Sequence, residues 1–234
     1  MNILITGASR GIGAAAYALL RQRGHNVVGH STRGSDILIA GDLVNPAATR
    51  DIWDTAMDEL GGHIDVLVNN AGIYEAVSDN APDDEWHGAW ARTMTINLQA
   101  SADLSRLAVS HFLDRGGEGR IVNVASRAAF RGDSSQHWHY AASKGAIVSM
   151  TKTIARGYAA DGILCFAVAP GFTVSDATEE YLKGRGGAQI VADIPLGRVA
   201  STDEVAEAIR WLAVEAPASS TGTIIDINGA SYVR

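Results

Sequence analysis

Short runs of apolar residues alternate along the chain with longer stretches of helix-forming residues. Each run has the length of a buried strand, and each longer stretch has the length of a helix. The predicted strands cover residues 2–6, 27–30, 36–40, 66–69, 120–125, 163–169 and 223–227. The predicted helices cover residues 14–20, 47–60, 86–115, 140–160 and 202–213. This alternation predicts right-handed crossovers and a parallel sheet that is covered on both faces.

We therefore expect an α/β fold with a single doubly wound parallel sheet, the Rossmann arrangement, of about seven strands with helices on both faces. Ligands of such sheets bind outside the carboxyl ends of the strands. One connection departs from the alternation, because only residues 31–35 separate the second and third predicted strands. That length is too short for a crossover helix, so we predict a turn there.

A glycine-rich turn follows the first strand. Its glycines, Gly7, Gly11 and Gly13, are spaced Gly-x-x-x-Gly-x-Gly and lead into the first helix. A strand, a glycine turn and a helix N-terminus in this order receive phosphate through backbone N–H groups and the helix dipole. The turn alone is weak evidence for a nucleotide, because any tight connection needs residues that tolerate positive φ.

Tyr140 and Lys144 stand four residues apart in a predicted helix. This spacing places both side chains on one face, where the ammonium would favour loss of the phenol proton. We therefore expect the pKa of Tyr140 to be lowered and the phenol to act as a general acid/base. The alternative is a surface helix that carries the two residues at helical spacing without any such role.

Five motifs occur in order along the chain: Thr6 to Gly13, Asn69 to Gly72, Ser126, the Tyr140–Lys144 pair, and Pro170-Gly171. In their order and spacing they resemble the short-chain dehydrogenase/reductase family, including its 3-oxoacyl-carrier-protein reductase-like members. The resemblance extends over residues 3–229. It implies that residues 1–234 form a single NAD(P)-binding Rossmann domain that carries both the cofactor site and the substrate site.

The resemblance implies a catalytic tetrad of Asn97, Ser126, Tyr140 and Lys144. Ser126 would bind the substrate oxygen, Tyr140 would exchange its proton, and Asn97 would help to hold a water chain from Lys144 to solvent. Lys144 would also lower the pKa of Tyr140 and hold the nicotinamide ribose. The implied reaction is hydride transfer between nicotinamide and a carbonyl or secondary alcohol. The alternative function is a non-catalytic dinucleotide-binding redox sensor or scaffold.

The resemblance also implies the cofactor contacts. These residues are Gly7, Ser9, Arg10, Gly11, Ile12, Gly13, Arg33, Asp42, Leu43, Asn70, Ala71, Gly72, Tyr140, Lys144, Pro170, Gly171, Thr173 and Ser175. Strand two ends in His30-Ser-Thr-Arg33, without the carboxylate that grips the ribose 2′-hydroxyl of NAD. Because Arg10 and Arg33 suit a 2′-phosphate, we predict NADP(H), with NAD(H) possible.

Composition excludes several other classes of function. The formal charge of −7 argues against a nucleic-acid footprint. Cys165 is the only cysteine, so a reducing cytoplasm is the expected location. No apolar run approaches the roughly 20 residues of a membrane span. The N-terminus enters a predicted strand at once, which leaves no room for a signal peptide.

The sequence leaves the substrate open among an acyl thioester, a sugar and a cyclic alcohol. Phe130, Arg131, His137, Trp138 and His139 are candidate pocket residues between Ser126 and Tyr140. No third ligand accompanies the two histidines, so we expect no metal site. By resemblance, residues 176–198 would cover the substrate.

We also expect a homotetramer or a homodimer, because relatives commonly assemble through two of their long helices and the C-terminal segment. The corresponding parts of this chain are residues 100–115, residues 140–160 and the segment after Asn228. Trp86 and Trp90, four apart on a helix, are interpreted as packing residues rather than as recognition residues.

Overall fold

In the computed structural model, which describes residues 1–174 and 185–234, parallel strands form one seven-stranded sheet. The strands are β1 (Asn2–Ile5), β2 (Asn26–Ser31), β3 (Leu38–Ala40), β4 (Val66–Asn69), β5 (Gly119–Val124), β6 (Ile163–Pro170) and β7 (Ile224–Ile227). Their order in the sheet is β3-β2-β1-β4-β5-β6-β7, and every neighbouring pair is parallel. The strand order reverses between β1 and β4, which is where ligands of such sheets bind.

Helices cover both faces of this sheet. They are α1 (Gly11–Gln22), α2 (Ala48–Glu59), α3 (Asp83–Met94), α4 (Ala100–Asp114), α5 (Ala128–Arg131), α6 (Trp138–Tyr158), α7 (Arg185–Ala192) and α8 (Thr202–Arg210). Residues alternate between the two faces along each strand. On one face, Leu4 and Ile121 pack with Ile52 of α2 and Leu104 of α4. The opposite face packs against α1 and α8, so the predicted doubly wound fold is confirmed.

The predicted turn between β2 and β3 is confirmed, because the structure places no helix there. The connection turns at Gly34, whose φ of 66° suits glycine. A backbone bridge pairs Ser35 with Leu38, and the strand predicted from residue 36 therefore begins at Leu38. The side chains of Leu38 and Tyr17 occupy the space beside Gly29 on one face of the sheet.

Residues 86–115, predicted as one helix, form a helical run that a π-helical turn interrupts. The turn covers Thr95–Gln99 and joins α3 to α4. A second π-helical turn, Trp211–Glu215, continues α8. Within residues 1–174 and 185–234, no helix has the length and apolar character needed to cross a membrane.

Candidate active site

Ser126 and Tyr140 bring two hydroxyl groups together at the carboxyl edge of the sheet. Ser126 follows β5, and its Oγ accepts the backbone N–H of Ala128 at 3.1 Å. The phenol of Tyr140, on the first turn of α6, shares a hydrogen bond with this hydroxyl. Ser126 is buried and Tyr140 is half-buried. One hydroxyl is therefore fixed by the strand end, and the other by the helix that packs beside it.

The pKa of Tyr140 is raised from its ordinary value, chiefly because the phenol is desolvated. The hydrogen bond from Ser126 acts in the opposite direction, and the charge of Asp133 adds to the increase. The expectation that Lys144 dominates and lowers this pKa is therefore wrong for this structure. Lys144 Nζ lies 5.9 Å from the centre of the Tyr140 ring and donates to the carbonyl of Val124 at 2.8 Å.

Lys144 is buried, and burial lowers its pKa to about 8. Its ammonium lies at the edge where β4 and β5 end, since a Cβ built on Gly72 would stand 3.5 Å from Nζ. At neutral pH the group still carries a proton. A buried cation is thus held between the Tyr140 ring and the loop after β4.

Asn97 lies in the π-helical turn between α3 and α4. Its Oδ1 accepts the N–H of Ile73 at 2.8 Å, and its Nδ2 donates to the Ile73 carbonyl at 3.0 Å and to Ser143 Oγ at 3.3 Å. Isolated π-helical turns are frequent at functional sites. The turn directs the Asn97 amide toward the loop after β4, so all four residues of the predicted tetrad lie at the same edge of the sheet.

The glycine turn, residues 7–13, is tightly folded and requires glycine at several positions, and we call it the glycine cradle. Gly7 and Gly11 have φ values of 69° and 58°. A Cβ on Gly13 would overlap the Gly7 carbonyl and the side-chain amide of Asn70. The backbone therefore lies close to the N-terminus of α1, as binding of a dinucleotide phosphate requires. Ile12 packs against the core beneath the turn, and Ser9 is exposed.

The loop after β4 is tied to this cradle. Asn70 Nδ2 donates to the carbonyls of Thr6 and Gly7 at 2.9 and 3.0 Å. The N–H groups of Asn70 and Ala71 both donate to Thr6 Oγ1 at 3.1 Å. The side chain of Asn70 therefore shapes the turn, and Ala71 and Gly72 keep the adjacent backbone accessible through their small size.

The residues predicted to contact the adenosine end of the dinucleotide differ in their exposure to solvent. Arg10 and Arg33 are exposed. Asp42 is exposed and accepts the Val44 N–H at 3.1 Å, which closes the turn after β3. Leu43 is 5% exposed and belongs to the core cluster under α2, so little of its side chain is available to an adenine ring.

Pro170 ends β6, and the backbone beyond it pairs with β7. Gly171 donates to the Ile227 carbonyl at 2.9 Å, and a Cβ on Gly171 would press against Asn228. Thr173 is buried, and its hydroxyl donates to the Gly171 carbonyl at 3.2 Å. Ser175 and residues 176–184 of the predicted substrate cover lie outside the described residues. The part of that cover from Arg185 to Ala192 is helical.

His30 contacts the glycine turn and was not identified from the sequence. It is 2% exposed, its Nδ1 accepts the N–H of Gly7 at 3.4 Å, and its Nε2 faces the Gly41 carbonyl at 2.8 Å. These contacts require the neutral ring with its proton on Nε2. Burial lowers the pKa of His30 and favours this form, although the Gly41 bond opposes the shift. A polar residue at the carboxyl end of an apolar strand was the available signal.

An aromatic wall stands over Tyr140. Tyr74 stacks on His137 with ring centres 4.0 Å apart, and its ring meets that of Tyr140 edge to face at 4.7 Å. Ser134 Oγ lies 2.7 Å from Nδ1 of His137. His139 is instead buried against Trp90, which also contacts Trp86. No group of three metal-ligating side chains occurs among the described residues.

Known proteins match the chain over most or all of its length. A family model described as short chain dehydrogenase matches residues 1–186. The 3-oxoacyl-(acyl-carrier-protein) reductase of Vibrio cholerae is 36% identical and aligns with 98% of this chain and 96% of its own. The cis-4-hydroxycyclohexanecarboxylate dehydrogenase of Sinomonas cyclohexanicum is 35% identical, with 97% and 94% covered. The ligand-free structure of Thermoplasma acidophilum aldohexose dehydrogenase superimposes with a TM-score of 0.87 at 28% identity, covering 100% of this chain and 94% of that one.

Proposed function

This chain belongs to the short-chain dehydrogenase family, and from that premise we propose that it transfers hydride between NADP(H) and a carbonyl or secondary alcohol, with Tyr140 as the general acid/base. The chain is an NAD(P)-dependent oxidoreductase acting on CH–OH or C=O groups. The observation that carries the finer proposal is the hydroxyl pair of Ser126 and Tyr140 at the carboxyl edge of the sheet, the edge at which the glycine turn also lies. The nicotinamide, when bound, supplies or accepts the hydride.

The roles follow from the contacts of each residue. Ser126 and Tyr140 present two hydroxyls to one substrate oxygen, so that oxygen is held while Tyr140 gives or takes its proton. Lys144 is buried and still protonated at neutral pH, which provides a cation beside the phenol. Asn97, bonded to Ile73 and Ser143, holds the loop after β4 in place.

NADP(H) is preferred in this proposal, with NAD(H) as the weaker cofactor. Two exposed guanidinium groups, those of Arg10 and Arg33, stand on the glycine turn and after β2. Guanidinium binds phosphate through paired, charge-assisted hydrogen bonds. His30, the penultimate residue of β2, is buried against the glycine turn and offers no carboxylate to a ribose hydroxyl.

The remaining parts of the proposal concern assembly and location. We propose a homotetramer or homodimer and a cytoplasmic setting, and both stay predictions. The similar proteins are named for different substrate classes, a protein-bound oxoacyl group, a cyclic hydroxy acid and an aldohexose. The proposed substrate is accordingly a small-molecule carbonyl or alcohol.

The test is to incubate the protein with NADPH and a panel of ketones while following the absorbance of the reduced ring. We expect turnover with at least one ketone. Tyr140→Phe should lower kcat by about 10²–10⁴-fold, because proton transfer is lost, while the Kd for NADPH stays unchanged. Tight NADPH binding without turnover on a broad panel would contradict the proposal and favour the redox sensor.

A further inference from the structure

Arg127 directly follows Ser126, and its guanidinium is enclosed beside Phe172, in the segment that follows β6. The residue is 9% exposed, and the guanidinium lies over the Phe172 ring, 4.9 Å from its centre. The backbone N–H of Arg127 donates to the Pro170 carbonyl at 2.9 Å, which fixes the residue to the end of β6. An arginine enclosed in this way needs compensation for its lost hydration.

The compensation is incomplete. Among the residues that the structure describes, the carboxylate that approaches Arg127 is Asp193, whose Oδ2 lies 3.8 Å from Nη1 of Arg127 and 2.6 Å from Nη1 of Arg131. Two cations thus share one carboxylate, and Arg131 has the shorter contact. Asp133 also influences Arg127, but it accepts hydrogen bonds from Tyr74 and from the N–H of Ser134. Burial and the charge of Arg131 both lower the pKa of Arg127.

Part of the guanidinium also has no hydrogen-bond partner among the described residues. Nη1 donates to Ser231 Oγ. Within residues 1–174 and 185–234, Nε and Nη2 donate no hydrogen bond. A guanidinium offers five donors in a fork that matches a carboxylate. The edge of the Arg127 guanidinium formed by Nε and Nη2 is therefore suited to a bidentate anion.

The backbone sets how far that anion lies from the reacting oxygen. Arg127 has helical dihedral angles, φ −57° and ψ −26°. Ser126 Oγ accepts the N–H of Ala128, whereas the Arg127 guanidinium extends over the Phe172 ring to Ser231. The hydroxyl of Ser126 and the guanidinium of Arg127 consequently reach different parts of a ligand rather than adjacent atoms. The Tyr74 ring stacks on His137 and contacts the Tyr140 ring, so an aromatic surface for a carbon skeleton lies beside the reacting hydroxyl.

We propose that Arg127 binds the carboxylate of a small oxo or hydroxy acid whose reacting carbonyl, held by Ser126 and Tyr140, is several bonds away. The substrate class is an acid whose carboxylate and reacting group are not on adjacent carbons, so 2-oxo acids should be poor substrates. This inference rests on the proposed function. The carboxylate takes no part in the redox step, in which hydride reaches the carbonyl carbon and a proton reaches its oxygen.

The experiment compares reduction of 4-oxocyclohexanecarboxylate and its neutral carboxamide by the enzyme with NADPH. The wild type should favour the acid in kcat/KM. Arg127→Gln should lower that preference roughly 10- to 100-fold, as expected for lost hydrogen bonds to a charged group. The kcat/KM of Arg127→Gln for the amide should stay within about threefold of the wild-type value, because the amide makes no charged contact with Arg127. The preference of Arg127→Lys for the acid should lie between those of the wild type and Arg127→Gln.

Two further variants separate recognition from structure. Asp193→Asn removes the competing carboxylate and should increase the preference for the acid. Arg50→Gln removes one positive charge from the exposed face of α2 and should change neither rate. Binding of cyclohexanecarboxylate to the protein with NADP⁺, measured by calorimetry, should weaken in Arg127→Gln and not in Arg50→Gln.

The outcomes distinguish this inference from the proposed function. An equal loss of kcat/KM for the acid and for the amide in Arg127→Gln overturns the role of Arg127 in carboxylate binding. An unchanged preference for the acid overturns it as well. Reduction of other neutral ketones without preference for the acid leaves the proposed function in place and overturns this inference. Absence of turnover with every carbonyl compound overturns both.

Discussion

At the scale of the residue, Lys144 owes its properties to burial more than to Tyr140. Helical spacing places the two on one face, but the ammonium donates to the Val124 carbonyl and lies 5.9 Å from the phenol ring centre. Desolvation lowers the pKa of the lysine and raises that of the tyrosine. Desolvation thus shifts each group toward its neutral form, although Lys144 still carries its charge at pH 7.

The burial of Lys144 predicts a pH dependence of stability. Its pKa is about 8 in the folded chain, against 10.5 for an unperturbed lysine. Between these values the unfolded chain binds more protons than the folded chain, so the free energy of unfolding rises with pH. Relative to Lys144→Met, the wild type should gain up to about 3 kcal/mol across this window.

Urea unfolding of both proteins at pH 8 and at pH 10.5 checks this expectation. Tyr140 is present in both proteins, so its own titration largely cancels in the comparison. Parallel stability curves for the wild type and Lys144→Met would show that the lysine is not desolvated as the structure indicates.

Arg10 and Arg33 carry a second prediction at this scale. Replacing both with alanine should raise the KM for NADPH roughly 10- to 100-fold, because charge-assisted bonds to the 2′-phosphate are lost. The KM for NADH should change little, since NADH lacks that phosphate. Steady-state kinetics with each cofactor measures the two effects, with Arg50→Ala as the control. An equal rise for both cofactors would mean that the arginines do not recognise the phosphate.

At the scale of the element, the turn between β1 and α1 depends on the absence of a side chain at one position. A Cβ at Gly13 would overlap the Gly7 carbonyl and the Asn70 amide, which hold the turn against the loop after β4. At Gly157, near the end of α6, a Cβ would meet no atom of the described residues outside its own helix within 4 Å. The two glycines thus differ in the space that surrounds them, which is filled at Gly13 and open at Gly157.

Gly13→Ala should therefore weaken NADPH binding by at least about 10-fold and lower the melting temperature, because overpacking typically costs about 1–3 kcal/mol. Gly157→Ala should stabilise the protein by about 0.4–1 kcal/mol and leave NADPH binding unchanged. Fluorescence titration and thermal unfolding measure both variants. Wild-type affinity in Gly13→Ala would contradict the cradle.

The elements were predictable because their signals are local. Apolar runs located the strands to within a few residues, and the short link after His30 indicated the turn. The π-helical turn at Asn97 was not predictable, because residues 86–115 have the composition of one helix. Contacts of Arg127 were not predictable either, since Ser231 lies 104 residues further along the chain. Such partners are set by the tertiary fold, which places the carboxyl ends of β5, β6 and β7 together.

At the scale of the whole molecule, the outer face of α6 carries a row of small side chains. Small side chains recur along it at helical spacing, at Ala142, Gly145, Ala146, Ser149 and Thr153. These residues are exposed or half-buried. Small side chains allow two helices to approach closely, and the distance between helix axes depends on the residues at the contact. This face therefore fits the predicted pairing of long helices between subunits.

The mass in solution should consequently be two or four times 24.6 kDa by light scattering. Ser149→Arg places a long charged side chain in the middle of this face and should lower the mass, because the helices can no longer approach. Thr55→Arg, on the exposed side of α2, is the matched control and should leave the mass unchanged. Surface substitutions outside an interface change stability by only about 0.5 kcal/mol, so both variants should melt like the wild type. A wild-type mass of 24.6 kDa, or an unchanged oligomer in Ser149→Arg, would show that this helix face is not the interface.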